Sequence, residues 1–306
     1  MGLYTEIYQY FASAIENCCI SKNTSCHVDQ FTPTPGNGRV DKGMKNGLKN
    51  INEKIRTFGY EHLKEQISKG HQCPLLTVDS TPRTIYDGIN WELDKLNKGL
   101  DEPKILTADR IHHFVPNAKA ILLLRDPIAR TLSDFRFFGG GSQATRFHQV
   151  VVAGIKWWNT CLKTLSERRC AFGLYYRDKH LKDLPGDMSW GTNGAGRLRL
   201  SMYMIYIRKW LEVFPKENLL ILNSKVLDED PIGTLKDIVY PFLELEPLSE
   251  RAEQNLKNLL NAGHIHVTKK RQFTPLNETV TLLKELFEPY NRELVELTGD
   301  KSFLWR

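Results

Sequence analysis

Three short apolar runs do most to determine what this chain can fold into. They are PLLTVDS (74–80), AILLLRD (120–126) and NLLILNS (218–224), each rich in Leu, Ile or Val and each ending in polar residues. Strands of a parallel sheet have this composition because helices bury both of their faces. Helical patterns lie between and after the runs. The alternation predicts an α/β fold in which a central parallel sheet is flanked by helices.

Two of the helical patterns are pronounced. Apolar side chains share one face of SMYMIYIRKWLEVF (201–214), at Tyr203, Ile207, Trp210, Leu211 and Phe214. The last pattern, ETVTLLKELFEPYNRELVELTG (278–299), predicts a C-terminal helical hairpin interrupted at Pro289. Two long loops, at 25–50 and 181–197, are rich in Gly and charge, and loops of this length in a compact domain are usually functional or disordered.

Composition sets broad limits on size and partners. The 306 residues, 41% of them hydrophobic, suffice for one large α/β domain or two small ones. The net charge of +6 is compatible with an acidic ligand and equally with a slightly basic surface, and we expect no nucleic-acid partner. The N-terminal residues do not form a signal peptide, and no run of 18 apolar residues predicts a membrane segment.

The residues after the second apolar run suggest an anion site. In RDPIARTLSDF (125–135), Asp126 can cap the following helix and Pro127 suits its first turn. Free N–H groups at the helix start, the positive end of its dipole, Arg125 and the Ser133 hydroxyl would together bind a phosphate. The alternative is a structural salt bridge at Arg125, with Arg130 and Asp134 as an exposed i,i+4 pair.

The cysteines and sequons bear on the compartment. None of the six cysteines forms a C-x-x-C pair, so we expect no metal site. Cys161 and Cys170 flank one short segment and form either a disulfide, which implies an oxidising compartment, or a buried reduced pair. Sequons begin at Asn23 and Asn277, and they matter if the chain is secreted.

The motif at 125–135 resembles the 3′-phosphate-binding motif of carbohydrate sulfotransferases that use 3′-phosphoadenosine 5′-phosphosulfate (PAPS). The match covers Arg125, Asp126, Pro127, Arg130, Ser133, Asp134 and Phe135. Family-like segments also occur at 78–91, in VPNAKAILLLRDP (115–127), at 197–222 and at 286–305, so the resemblance covers nearly the whole chain. It is strongest to the chondroitin-type members that sulfate the 6-O position of N-acetylgalactosamine 4-sulfate.

The resemblance implies a fold and a set of roles. The fold would be the P-loop-like sulfotransferase fold. Arg125 and Ser133 would hold the 3′-phosphate of PAPS, and a basic segment would close over this cofactor through Lys269, Lys270 and Arg271. Arg83 and Arg197 would border a cleft for a sulfated glycosaminoglycan. Cys161 and Cys170 fall where the family has a paired-cysteine segment.

Two parts of the family pattern are not found. The family opens with a strand and a Lys-x-Gly-Thr-Thr loop that cradles the 5′-phosphosulfate, whereas this sequence begins in what resembles the helix after that loop. Where the family has a glutamate as general base, Lys22 is followed by Asn23. His27 and Asp29 are the substitute candidates.

We therefore expect residues 1–306 to form a single sulfotransferase domain, N-terminally truncated and without its first strand. Its function would be transfer of a sulfuryl group from PAPS to a glycosaminoglycan hydroxyl, on N-acetylgalactosamine 4-sulfate of chondroitin or dermatan sulfate. The alternative is a non-catalytic relative that binds PAPS or glycan. A P-loop kinase would need a phosphate loop that the sequence does not contain. The resemblance implies a Golgi location.

Overall fold

The computed structural model describes residues 84–86, 88, 91–138, 142–173, 197–261 and 273–305. The first apolar run (74–80), the 25–50 segment and residues 181–196 lie outside this part of the chain. The two strands are β1 (Ala120–Leu124) and β2 (Leu219–Asn223). The longer helices are α1 (Thr107–Phe114), α2 (Pro127–Phe137), α3 (Ala144–Leu162), α4 (Glu167–Phe172), α5 (Tyr203–Leu211), α6 (Ser224–Glu229), α7 (Glu250–Asn261) and α8 (Asn277–Thr298).

Short helical turns also occur in the described chain. They are Trp91–Leu93, Lys95–Asn97, Lys216–Asn218, Pro231–Gly233, Thr234–Val239, Tyr240–Phe242 and Lys301–Leu304. None of the helices in the described ranges is both long enough and apolar enough to cross a membrane.

The two strands confirm the second and third apolar runs as strands of a parallel sheet, in which they lie next to each other. Their register pairs Ala120 with Leu219 at one end and Leu124 with Asn223 at the other. Both strands therefore end at the same level. Arg125 follows β1 at this carboxyl edge, which is where open α/β sheets bind their ligands.

The core beside the sheet is built from α2, α3, α5 and α8. Phe135, Phe147, Tyr206, Leu283 and Phe287 are each buried to 99% or more. In α5 burial extends beyond the single face that the sequence indicated: every residue from Tyr203 to Trp210 except Arg208 is buried. This helix therefore lies in the interior.

The predicted C-terminal hairpin is wrong. Residues 277–298 form one continuous helix with Pro289 inside it. Leu283, Phe287, Tyr290 and Leu294 are buried on both sides of the proline, at helical spacing. Proline removes one backbone hydrogen bond, which costs about 3 kcal/mol, whereas each fully buried side chain of this size contributes about 1.5–3 kcal/mol. Burial along the whole face therefore outweighs the local break.

Cys161 at the end of α3 and Cys170 in α4 form a disulfide. Their Cα atoms are 5.9 Å apart, and the two residues are 2% and 0% exposed. The disulfide confirms the first of the two readings, and the alternative of a reduced pair is wrong. It ties the C-terminus of α3 to the short helix that follows.

The chain divides into two compact units. The described residues of the smaller unit are 232–261, where Glu253 accepts hydrogen bonds from Lys257 and Lys236 that lower its pKa to about 2. The described residues of the larger unit are 84–231 and 273–305, with both strands and the turn after β1. A single domain over 1–306 stays a prediction.

Candidate functional site

The turn between β1 and α2 has the predicted cap. The Asp126 carboxylate accepts hydrogen bonds from the backbone N–H groups of Ile128 and Ala129, at 2.8 and 3.4 Å, and Pro127 occupies the first helical position. The N–H of Arg130 donates to the Asp126 carbonyl at 2.8 Å. The expectation that these N–H groups are free for a phosphate is therefore wrong, because the cap occupies them. A phosphate at this turn would depend on side chains.

Arg125 and Ser133 provide such side chains. Both residues are exposed, and within the described residues neither side chain makes a hydrogen bond or ion pair. The alternative of a structural salt bridge at Arg125 is thus not found there. Ser133 lies seven residues after Asp126, so it is about 10 Å farther along the helix on nearly the same side. A long guanidinium side chain at the turn can approach the same anion.

The Arg130–Asp134 pair is not the exposed pair that the alternative assumed. The Asp134 side chain is only 9% exposed, and its carboxylate lies 3.7 Å from the Arg130 guanidinium. Its main partner is Arg197, which donates from Nε and Nη2 at 2.5 and 2.6 Å. The Arg197 guanidinium also lies 4.0 Å from the centre of the Phe138 ring. Arg197 thus attaches its segment to α2, and its glycan contact stays a prediction.

Two hydroxyl groups reach the same turn, one from the first residue of α5 and one from two residues before it. The Tyr203 hydroxyl donates to the Arg125 carbonyl at 2.8 Å, and the Ser201 hydroxyl donates to the Pro127 carbonyl at 3.2 Å. Ser201 also accepts a hydrogen bond from Arg130 Nε. The sequence placed Tyr203 on an apolar helix face and gave no role to its hydroxyl. A tyrosine at the first position of a buried helix was the available signal, since a buried hydroxyl needs a partner.

The basic segment at 269–271 lies outside the described residues, but Phe273, just after it, contacts α2. Arg136 donates a hydrogen bond to the carbonyl of Phe273, and its guanidinium lies 4.9 Å from the centre of the Phe273 ring. Burial lowers the pKa of Arg136. Phe273 also packs edge-on against Phe135. The residue two positions after Arg271 is therefore fixed to α2, the helix that carries Ser133.

The remaining predicted residues divide by location. Asn23, His27, Asp29 and Arg83 lie outside the described residues. Asn277 is exposed at the start of α8, while the third sequon residue, Thr279, is fully buried. The Thr279 hydroxyl is 2.9 Å from Nδ1 of His148. Glycosylation at either sequon stays a prediction. Among the described residues no group of three His, Cys, Asp or Glu side chains could hold a metal ion.

An open pocket of about 530 Å³ lies at the other end of α5, lined in part by residues 100–105. Lys209, which is 5% exposed, donates to Asp109 at 2.7 Å and to Glu212 at 3.1 Å. Burial raises the pKa of Glu212, but hydrogen bonds from Arg168 and Lys209 outweigh it, and the net shift is downward. These charged side chains, which line the pocket, pair with one another. We therefore interpret them as a structural ion-pair cluster.

The fold and the turn after β1 define a class of protein. The family model described as a sulfotransferase domain matches residues 106–282, more than half of the chain. The chain belongs to this sulfotransferase family. The parallel pair of strands and the surrounding helices accord with the α/β sulfotransferase fold, and the matched range contains the whole of α2.

Among curated proteins the chain is similar to carbohydrate sulfotransferase 15. It is 31% identical to the mouse protein over 247 residues, covering 79% of this chain and 40% of that one. The Nototodarus sloanii protein of the same name is 29% identical over 150 residues, 49% of this chain and 85% of that protein. Mouse heparan sulfate glucosamine 3-O-sulfotransferase 3A1 is 24% identical over 248 residues, 73% of this chain and 55% of the relative. The chain thus spans about two fifths of the length of the mouse carbohydrate sulfotransferase 15.

Proposed function

We propose that this chain transfers a sulfuryl group from PAPS to a hydroxyl of a glycosaminoglycan, on N-acetylgalactosamine 4-sulfate of chondroitin or dermatan sulfate. One observation carries the proposal: the turn after β1 presents Arg125 and Ser133 exposed and unpaired within the described chain, inside the range that matches the sulfotransferase domain. The names of the relatives support a carbohydrate acceptor.

The residues at the turn fit the 3′-phosphate of PAPS. A guanidinium donates two parallel hydrogen bonds to phosphate oxygens, and a serine hydroxyl donates one more. Arg125 would supply the first contact and Ser133 the second. Lys269, Lys270 and Arg271 would close over the bound cofactor, since their chain is fixed to α2 two residues later at Phe273.

PAPS supplies the sulfuryl group and a phosphate leaving group. As in phosphoryl transfer, the protein contributes mainly positioning and stabilisation of charge on the leaving group. Arg125 and Ser133 hold the end of the cofactor that does not react, and they orient it. His27 and Asp29 remain the candidates for the base that accepts the proton of the sugar hydroxyl.

The acceptor side of the proposal rests on charge and compartment. A sulfated glycosaminoglycan is polyanionic, and the chain carries a net charge of +6. Arg83 and Arg197 would border its cleft. A disulfide between Cys161 and Cys170 persists in an oxidising lumen. We accordingly propose a Golgi location.

The test combines binding with turnover on the 306-residue chain. Titration calorimetry with 3′-phosphoadenosine 5′-phosphate (PAP), the desulfated product, should show binding that Arg125→Ala weakens strongly. The matched control is Arg292→Ala, which removes an exposed arginine paired only with Glu288 on its own helix within the described chain. Absence of PAP binding by the parent chain would refute the proposal.

Turnover is measured with labelled PAPS and chondroitin, dermatan and heparan sulfates, followed by disaccharide analysis. Label at the 6-position of N-acetylgalactosamine 4-sulfate is the expected result. Label on heparan sulfate alone would contradict the proposed acceptor. PAP binding without transfer to any acceptor, even after a strand and a Lys-x-Gly-Thr-Thr loop are added before the chain, would establish the non-catalytic alternative.

A further inference from the structure

Two carbonyl groups of the β1–α2 turn, one on each side of Asp126, accept hydrogen bonds from hydroxyl groups near the start of α5. Tyr203 donates to the carbonyl of Arg125 at 2.8 Å, and Ser201 donates to the carbonyl of Pro127 at 3.2 Å. These donors lie two residues apart, as do their acceptors. The inner side of the turn is therefore fixed to the interior of the protein. The Arg125 side chain, in contrast, is exposed.

Tyr203 is itself held firmly. It is 8% exposed, and its ring lies 6.2 Å from the ring of Trp305. Trp305 belongs to the C-terminal segment, and its ring packs edge-on against that of the buried Phe303 at 5.3 Å. The side-chain amide of Asn223, at the end of β2, donates to the Ser302 hydroxyl of the same segment at 3.1 Å. The C-terminal turn thus contacts Tyr203 and the end of the strand beside β1.

The hydrogen bond from Tyr203 matters because of where Arg125 lies. Arg125 is the first residue after β1, so its backbone dihedral angles set the direction of its long side chain. Within the described chain no side-chain partner holds the guanidinium, and its aim depends on the backbone. A shift of the backbone at Arg125, which the hydrogen bond from Tyr203 opposes, moves Cβ and with it the whole side chain, and binding groups must be held within about 0.5 Å.

We propose that Tyr203 is a positioning residue for the cofactor: by holding the Arg125 carbonyl, it aims the guanidinium at the 3′-phosphate. This inference rests on the proposed function. Tyr203 itself would not touch PAP and would act through Arg125. Its loss should therefore matter only while Arg125 is present.

The test is a double-mutant cycle on PAP affinity, measured by calorimetry. Tyr203→Phe keeps the ring against Trp305 and removes only the hydroxyl. We expect it to weaken PAP binding roughly 3- to 10-fold, the range that a single hydrogen bond supports. In the Arg125→Ala background, at the PAP concentrations that this variant still binds, the same substitution should change affinity less than twofold. In turnover, KM for PAPS should rise while kcat changes little, because the 3′-phosphate contact is the same before and during reaction.

Tyr290→Phe is the matched control. It also removes a tyrosine hydroxyl from a hydrogen bond, the 2.7 Å contact to Glu167, within the same compact unit. It should lower thermal stability and leave the affinity for PAP unchanged. A general loss of stability would instead weaken PAP binding in both tyrosine variants.

The outcomes separate this inference from the proposed function. Failure of the parent chain to bind PAP defeats the proposed function itself. If PAP binds and Arg125→Ala weakens it, then unchanged binding in Tyr203→Phe overturns the positioning role, and so does weakening that persists without Arg125. Should Tyr203→Phe fail to fold, Trp305→Phe replaces it in the same cycle. A loss of PAP affinity that occurs only when Arg125 is present supports the positioning role, and unchanged PAP affinity overturns it.

Discussion

Asp134→Asn is the substitution whose effect the structure defines most sharply. The Asp134 carboxylate is 9% exposed, receives two hydrogen bonds from Arg197, whose side chain is 14% exposed, and lies beside Arg130, 22% exposed. Breaking a fully buried pair costs about 3–5 kcal/mol, and exposed pairs contribute about 0–1 kcal/mol. The burial here is nearly complete, so we expect a loss of about 2–3 kcal/mol in the free energy of unfolding.

That loss corresponds to a fall in Tm of about 4–12 °C, at roughly 2–4 °C per kcal/mol for a domain of this size. Urea and thermal unfolding measure both quantities. The control is Glu288→Gln, which removes the charge from an ion pair with side chains 56% and 68% exposed, and its loss should stay below about 1 kcal/mol.

A second arm tests the electrostatic cause. Asp134→Leu combined with Arg197→Met replaces the pair by apolar side chains of similar size, and such replacements are often neutral or stabilising. We expect the double variant to regain most of the stability that Asp134→Asn loses. Equal stabilities of Asp134→Asn and Glu288→Gln would refute the reasoning, because the partly buried pair would then behave as an exposed one.

Three further predictions concern charge and covalent linkage. Glu212→Gln should lower Tm at pH 7. The difference in Tm from the parent should disappear as the pH falls from the ordinary carboxyl pKa of 4.5 through the lowered pKa of the folded state, because a carboxylate with a lowered pKa contributes stability only above that range. Replacing both Cys161 and Cys170 by Ser should cost about 2–3 kcal/mol, from the closure entropy of a separation of 9 residues, measured by urea unfolding. Asp126→Asn should keep the cap and raise the affinity for PAP a few-fold in calorimetry, because it removes a negative charge beside the proposed 3′-phosphate site.

Each of these has a contradicting result. A difference between Glu212→Gln and its parent that does not shrink as the pH falls below 4.5 would exclude the ion-pair cause. If added reductant lowers the stability of the double cysteine variant as much as that of the parent, the disulfide is not the source of the loss. Unchanged or weaker PAP binding by Asp126→Asn would show that the cap charge does not act on the phosphate.

Local features of the structure were predictable from the sequence. Asp126 and Pro127 mark the start of α2 by side-chain chemistry that acts within three residues, and the leucine-rich runs of β1 and β2 indicate strands by composition. Pro289 shows the limit of local signals. Its effect on one hydrogen bond can be read from the sequence, but the burial of α8 against other helices cannot.

The organisation of the site depends on partners that are distant in the chain. Arg197 meets Asp134 across 63 residues, and Tyr203 meets the carbonyl of Arg125 across 78. Helical periodicity places a residue on a face but does not identify what that face contacts. The sequence therefore indicated which residues could bind an anion, and it could not indicate which arginine is already paired.

The capping carboxylate of Asp126 has a consequence for turnover. If Arg125 and Ser133 bind the 3′-phosphate, they bind a group that the reaction leaves unchanged. They would therefore bind the substrate PAPS and the product PAP equally well. Such uniform binding does not lower the barrier of the chemical step, and it prolongs the lifetime of the product complex. Asp126 occupies the backbone N–H groups that would otherwise strengthen phosphate binding, and its carboxylate adds a charge that repels the phosphate. If the proposed function holds, the same residue that starts the helix would thus speed the release of the product.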